Sequence, residues 1–166
     1  MHSEEFKNNV LPLKGALYRF AKSLLANAQD AEDCVQEIFL KLWTKRASLG
    51  AVVNLKAYAL QMTRNQCLDK LKSAKRDMLD AELVTIAADV NLHGQLEARE
   101  AVAYLEHLVK KLPELQRAVI HLRSIEGLEI NEIAEVTGMR VDHVRVTLSR
   151  ARITLRQQYE KHRGHE

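Results

Sequence analysis

Arginines crowd the end of this chain, and their spacing suits contact with a polyanion. From Thr137 to Arg163 there are seven Lys and Arg side chains (140, 145, 150, 152, 156, 161 and 163) and two acids, Asp142 and Glu160, a surplus of five positive charges. A guanidinium offers a planar fork of donors that fits phosphate oxygens or a guanine edge, and a valine methyl can meet a thymine methyl. Arg145, Val146, Ser149 and Arg150 fall together when the segment is drawn as a helix, and Val141, Val144, Leu148, Ala151 and Leu155 fall on the opposite side at steps of 3, 4, 3 and 4. A second basic cluster runs from Arg64 to Arg76, with five Lys or Arg and the single acid Asp69. Tyr58, Met62, Asn65, Gln66, Asp69, Lys72 and Arg76 point outward there, so aromatic, amide and basic groups together could stack on an unpaired base and neutralise phosphates. A third cluster has the opposite sign. Asp30, Asp33 and Glu37 share a helical stripe, with Glu32 and Gln36 beside it. Such a face repels DNA and suits either solvent or a basic protein partner.

The chemistry of bond breaking is missing from this inventory. No nucleophile–base pair, phosphate-binding loop or metal-ligand spacing is present, and the seven histidines are scattered. Cys34 and Cys67 stand alone in sequence, without a CxxC pattern, and read as small buried hydrophobes. The expectation is a binding protein with no catalytic residue, no metal, no cofactor and no small-molecule substrate.

The elements that position these clusters are helices. Only two prolines and six glycines interrupt 166 residues, and Ala, Leu, Glu, Lys, Arg and Gln fill much of the rest. A first periodic block spans about Phe6 to Ala26, with Leu13, Leu17, Phe20, Leu24 and Leu25 at helical spacing. Asp30 is a candidate cap for a second block, Ala31 to Arg46, whose core side is Val35, Ile38, Phe39 and Leu42. Ala47 to Asn54 reads as a loop containing Gly50. A third block, Leu55 to Arg76, turns Leu60, Cys67 and Leu71 inward. The pattern weakens between Asp77 and Gln95, which reads as a linker. A further block runs from Leu96 to Leu112, Pro113 opens the next helix, and Gly127 closes it. From about Glu129 to Arg156 the pattern is a helix-turn-helix. Ile130, Ile133 and small Ala134 form the inner face of its first helix, and Gly138 supplies a left-handed turn. The fold expected is all-α: two small helical domains over residues 1–76 and 96–166, joined by a linker over 77–95.

No apolar run reaches the roughly 20 residues of a membrane span, and Met1 to Leu11 lacks the layout of a signal peptide. A cytoplasmic location is expected.

Two basic modules, an acidic helix and this order together resemble the extracytoplasmic-function (ECF) group of sigma factors in the sigma-70 family. Asp30-Ala-Glu-Asp-Cys-Val-Gln-Glu-Ile-Phe-Leu-Lys-Leu-Trp43 is similar to the region-2 helix that binds the polymerase clamp. Ala57-Tyr-Ala-Leu-Gln-Met-Thr-Arg-Asn-Gln-Cys-Leu-Asp-Lys-Leu71 resembles the promoter-melting part of that region. Leu112-Pro113, Glu126-Gly127, Glu132-Ile-Ala134, Gly138 and Ser149-Arg-Ala-Arg152 resemble region 4. The resemblance implies a function and a division of labour. Asp30, Asp33, Gln36 and Glu37 would hold core RNA polymerase. Tyr58, Met62, Asn65, Asp69, Lys72 and Arg76 would meet the minus-10 element, with the 47–54 loop and Asn65 trapping a flipped base. Arg140, His143, Arg145, Val146, Ser149, Arg150 and Arg152 would meet the minus-35 element. An anti-sigma factor, often membrane-anchored in this group, is an implied third partner beside polymerase and promoter DNA. Where the family usually carries a capping Ser and a Thr, this chain has Arg140 and His143, so base specificity does not transfer. The alternative from the residues alone is a conventional helix-turn-helix regulator that does not bind polymerase.

Overall fold

The computed structural model describes residues 1–80 and 97–164, and every regular element in them is helical. The chain opens with α1 (Ser3–Asn9) and a 3-10 turn over Leu11–Leu13, then α2 (Lys14–Leu25). The periodic block read over Phe6 to Ala26 is therefore broken near its start. Pro12 lies in the 3-10 turn, where its missing N–H and fixed φ favour a tight first turn over continuation of a helix. Next come α3 (Ala28–Thr44) and the single-turn α4 (Arg46–Leu49), so the first half of the 47–54 loop is helical. The cap of α3 is Asn27, not Asp30: its Oδ1 accepts the Asp30 N–H at 3.0 Å, leaving the Asp30 side chain exposed.

The long α5 (Leu55–Asp80) crosses the N-terminal half. It extends four residues into the stretch read as linker; the remainder of that stretch, 81–95, lies outside the described residues. Asn54 starts this helix by accepting the Ala57 N–H at 3.0 Å. Ala57, Leu60 and Cys67 are buried, whereas Leu71, expected inward, is 37% exposed. The apolar cluster takes in α5 residues up to Cys67.

In the C-terminal half α6 (Glu97–Lys110) leads to α7 (Glu114–Ile120). Pro113 precedes the first turn as its cap residue (φ −52°, ψ 149°). A wider π turn, His121–Ile125, ends α7, and Gly127 with φ +69° reverses the chain. Then follow α8 (Ile130–Thr137) and α9 (Val141–Arg163). Gly138 (φ +72°, ψ 10°) donates its N–H to Ala134 O at 2.9 Å, the left-handed cap that stops α8 and turns the chain into α9.

The two halves share one core. Leu17, Phe20, Ile38, Leu42 and Leu60 from the first half join Val119, Leu122, Ile133 and Val144 from the second, all fully buried and in one apolar cluster. Burying a side chain of this size is worth about 1.5–3 kcal/mol. Helix α2 packs on α3, α5 and α7, and α8 lies against α5 as well as α9.

Candidate nucleic-acid interface

Helix α9 owes its orientation to an inner face of Val144, Thr147, Leu148 and Ala151, all buried against α7 and α8. The sequence pattern places three of these four; Thr147 was missed because a threonine there does not look apolar. The opposite face is open. Arg140, Asp142, His143, Arg145, Ser149, Arg150 and Arg152 are exposed, as is Val146 at 45%. Arg140 makes no side-chain cap. The start of α9 is served by Asp142, whose Oδ1 accepts the His143 N–H at 3.1 Å and lies 3.6 Å from the Arg140 guanidinium. Arg145, Ser149, Arg152 and Arg156 share a stripe, and with Arg123 from the π turn they line an open groove of about 460 Å³ floored by Ile130, Leu148 and Ile153. Sequence counts Arg156 in the basic cluster without assigning it a contact, and does not single out Arg123. The 4, 3, 4 spacing from Arg145 would have found Arg156, whereas Arg123 arrives through the fold. Four guanidiniums around one groove make a strong local attraction for a phosphate backbone.

On α5, Tyr58, Met62, Asn65, Asp69, Lys72 and Arg76 follow one another at steps of 4, 3, 4, 3 and 4, one continuous stripe. Asn65, Asp69, Lys72 and Arg76 are exposed, while Tyr58 and Met62 are half-buried against the core. Tyr58 also lines a pocket of about 440 Å³ with Val52, Val53, Asn54, Ala57, Gln61 and, from α8, Glu135. Val53 at the tip of that loop is fully exposed. Gln66, expected outward, instead ties two helices together. Its amide donates to Glu37 and its Oε1 accepts from Lys41 Nζ at 2.6 Å, with Lys70 3.8 Å from Glu37.

The acidic stripe of α3 is therefore divided. Asp30 and Gln36 are exposed, Asp33 is half-buried and accepts the Gln29 amide at 3.0 Å, and Glu37 is held by α5. Beyond them Leu40 is 68% exposed and Trp43 39% exposed. The Arg46 guanidinium sits 4.2 Å over the Trp43 ring, and Phe6 meets its edge at 5.0 Å. An apolar pair in line with carboxylates has the makeup of a protein-binding surface. Cys34 and Cys67, with sulfurs 3.5 Å apart, are both fully buried between α3 and α5.

Where the halves meet, the polar contacts are specific. Arg19 donates to both oxygens of Glu126 (2.8 and 3.1 Å), a carboxylate with no solvent exposure. Arg64 reaches both oxygens of Glu114 (3.2 and 3.3 Å), Asn54 donates to Glu132 at 2.7 Å, and Lys56 donates to the Glu126 carbonyl at 3.2 Å. The Glu129 N–H and then the Asn54 amide hold the Glu132 carboxyl below its ordinary range. His121 stacks on Phe20 at 5.5 Å. Burial pushes its pKa below the usual 6.5, and the Arg19 charge adds to this, against the pull of Glu126 3.5 Å away.

Comparison with known proteins follows this division. The family model for sigma-70 region 2 matches residues 10–77, covering α2 to α5, and the model for sigma-70 region 4 matches residues 102–155, covering the helix-turn-helix. The chain belongs to the sigma-70 family, in its ECF group. It is 29% identical to the ECF RNA polymerase sigma factor SigW of Bacillus subtilis over 157 residues, covering 87% of this chain and 83% of that one. It is 28% identical to the ECF sigma factor EcfG of Rhodopseudomonas palustris over 156 residues, covering 92% and 84%. Among solved structures it is similar to the sigma factor RpoE of Bartonella quintana, crystallised with the anti-sigma factor NepR. The TM-score there is 0.76 at 27% identity, covering 95% of this chain and 98% of that one. Membership in this family sets aside the regulator alternative. In the family's terms α2 to α5 belong to region 2 and α7 to α9 to region 4.

Proposed function

We propose that this ECF sigma factor joins core RNA polymerase, directs it to promoters with minus-35 and minus-10 elements, and starts transcription of a stress or envelope-signal regulon. The carrying observation is that the region 2 and region 4 matches follow in family order and take in α5 and α9, each of which carries exposed basic groups. Residues 1–76 would form the polymerase- and minus-10-binding unit, 96–166 the minus-35 unit, and 77–95 the tie between them.

Helix α3 offers Asp30, Asp33, Gln36 and Glu37 to a basic polymerase surface, with Leu40 and Trp43 adding apolar area. Arg145, Val146, Ser149 and Arg150 enter the major groove, while Arg140, His143 and Arg152 contact phosphates at its rim. Tyr58, Met62, Asn65, Asp69, Lys72 and Arg76 meet the minus-10 strand. Extruding one base costs a few kcal/mol, which stacking in the 47–54 loop and an Asn65 hydrogen bond would help offset. The protein itself makes and breaks no bond; polymerase supplies the chemistry. It acts in the cytoplasm, where core polymerase and promoter meet. An anti-sigma factor holds it in reserve, as supported by the NepR-bound relative of the same fold.

Core polymerase pull-down tests this reading. The chain is expected to be retained, and Asp33→Lys to reduce retention at least about tenfold, the usual cost of a reversed charge at an interface. A chain that is not retained would contradict the proposal, and equal retention of the variant would remove Asp33 from it.

A further inference from the structure

A ring of polar groups ties the helix offered to polymerase to the helix offered to the minus-10 strand. Glu37 and Lys41 stand one turn apart on α3, and Gln66 and Lys70 stand one turn apart on α5. The Gln66 amide donates to Glu37, its Oε1 accepts from Lys41 Nζ at 2.6 Å, and Lys70 Nζ lies 3.8 Å from the Glu37 carboxylate. Cys34 and Cys67, with sulfurs 3.5 Å apart and out of solvent, close the same helix contact.

An amide suits position 66 as no charged group can. Glu37 needs a donor and Lys41 an acceptor, and glutamine supplies one of each. A carboxylate there would serve Lys41 and repel Glu37; an ammonium would do the reverse. The apolar contact between the helices is non-directional, whereas a satisfied network of opposed donors and acceptors selects one rotation of α5 on α3. That rotation matters because Asn65 is the next residue, about 100° round the helix, and is exposed. Turning α5 by about 20° moves a side-chain tip, roughly 5–6 Å from the axis, by about 2 Å. A shift of that size breaks a hydrogen bond.

We propose that Gln66 is a positioning residue for base capture: held between Glu37 and Lys41 of the polymerase-facing helix, it sets the rotation of α5 that aims Asn65 at the extruded minus-10 base. Docking of α3 on core polymerase thereby fixes where the base is received. This rests on the sigma-factor reading and on Asn65 as the base contact, and it adds a residue that acts through its neighbour.

Exchanging the carboxylate and the amide tests this. Gln66→Glu sets two carboxylates against each other. Adding Glu37→Gln restores a donor–acceptor pair, leaves Lys41 its acceptor and keeps the wild-type net charge. Open-complex formation is read from permanganate reactivity of unpaired thymines, with core polymerase raised until every chain is bound, so that altered core affinity drops out. Circular dichroism checks folding. Gln66→Met, similar in size and without either hydrogen bond, takes the place of Gln66→Glu if that chain does not fold. Gln66→Glu is expected to slow opening about tenfold, less than the hundredfold that a 1 Å misplacement can cost, and to change closed-complex binding little. The exchange should return opening to near the wild-type rate. In an Asn65→Ala chain the Gln66 variant should cost little more, because the group it aims is gone; a merely structural role would multiply the two losses. A Gln66 variant that opens like the wild type overturns the proposal. So does an exchanged chain that opens no faster than Gln66→Glu or fails to join core, and so do losses that multiply. If Asn65→Ala alone opens like the wild type, the proposal falls and the sigma-factor reading stands. If the wild-type chain forms no open complex with core, it is the sigma-factor reading that fails, and Gln66 has nothing to position.

Discussion

Replacing Gly138 by alanine isolates the backbone requirement of the helix-turn-helix. The residue sits at φ +72° and ψ 10°, and a Cβ added there meets nothing within 4 Å. Steric clash with neighbours is therefore absent, and the effect is confined to conformation. An L-residue in the left-handed region costs roughly 1–2 kcal/mol. Restricting the unfolded chain returns about 0.4–1 kcal/mol. The net expectation is a loss of about 1 kcal/mol. Gly50 provides the opposite sign from the same chemical change. It too has open space around its Cβ position, but it lies at φ −61° and ψ −23°, where alanine is at ease. Gly50→Ala should therefore gain about 0.4–1 kcal/mol. Urea unfolding reads both. With a slope of about 1–3 kcal/mol per molar, the midpoint should fall by roughly 0.5 M for Gly138→Ala and rise by a smaller amount for Gly50→Ala. Gly138→Asn, which tolerates the left-handed region, should lose less than alanine does. A Gly138→Ala midpoint at or above the wild-type value would refute the reasoning.

Three further outcomes are expected. Arg145→Ala and Arg150→Ala should each weaken minus-35-dependent promoter binding by the polymerase complex several-fold; where the lost contact is to phosphate, the salt slope falls by about one. A variant unchanged on such a promoter would take that arginine out of the interface. His121 makes stability depend on pH. Burial lowers its pKa in the folded chain below 6.5, so the unfolded chain takes up the proton first. Its contribution is complete above pH 6.5 and is lost as pH falls below that value. The urea midpoint should drop between pH 7.5 and 5.5 and drop less in His121→Leu; a flat profile in the wild type would contradict the assigned burial. Asn65→Ala should reduce open-complex formation more than closed-complex binding, and equal losses would remove Asn65 from base capture.

Much of this architecture is legible in the sequence because it depends on local period and local stereochemistry. Leu148 and Ala151 fall inward because they continue a 3-and-4 spacing, and Gly127 and Gly138 mark turns because only a positive φ requires them. The stripe from Tyr58 to Arg76 is equally local: a 3.6-residue period fixes which side chains share a face. Local signals also mislead where two compete. Asp30 looks like a cap, but Asn27 stands three residues earlier and takes the role. Leu71 continues the apolar spacing of α5 and yet stands partly exposed. The seam between the halves is different in kind. Arg19 and Glu126 are 107 residues apart, and Asn54 and Glu132 are 78 apart. No periodicity links such residues, so their pairing emerges only from the fold. The same holds for Gln66, whose outward place on α5 conceals that α3 lies beside it, with Glu37 and Lys41 in reach.

Run-off transcription with purified core RNA polymerase, on the promoter upstream of the protein's own gene, addresses the central claim most directly. The account predicts that core polymerase alone gives no specific transcript and that adding this chain yields one of defined length, lost when either the minus-35 or the minus-10 element is scrambled. A chain that joins the polymerase and gives no specific start on this promoter or on genomic DNA fragments, or a start indifferent to both elements, would contradict it.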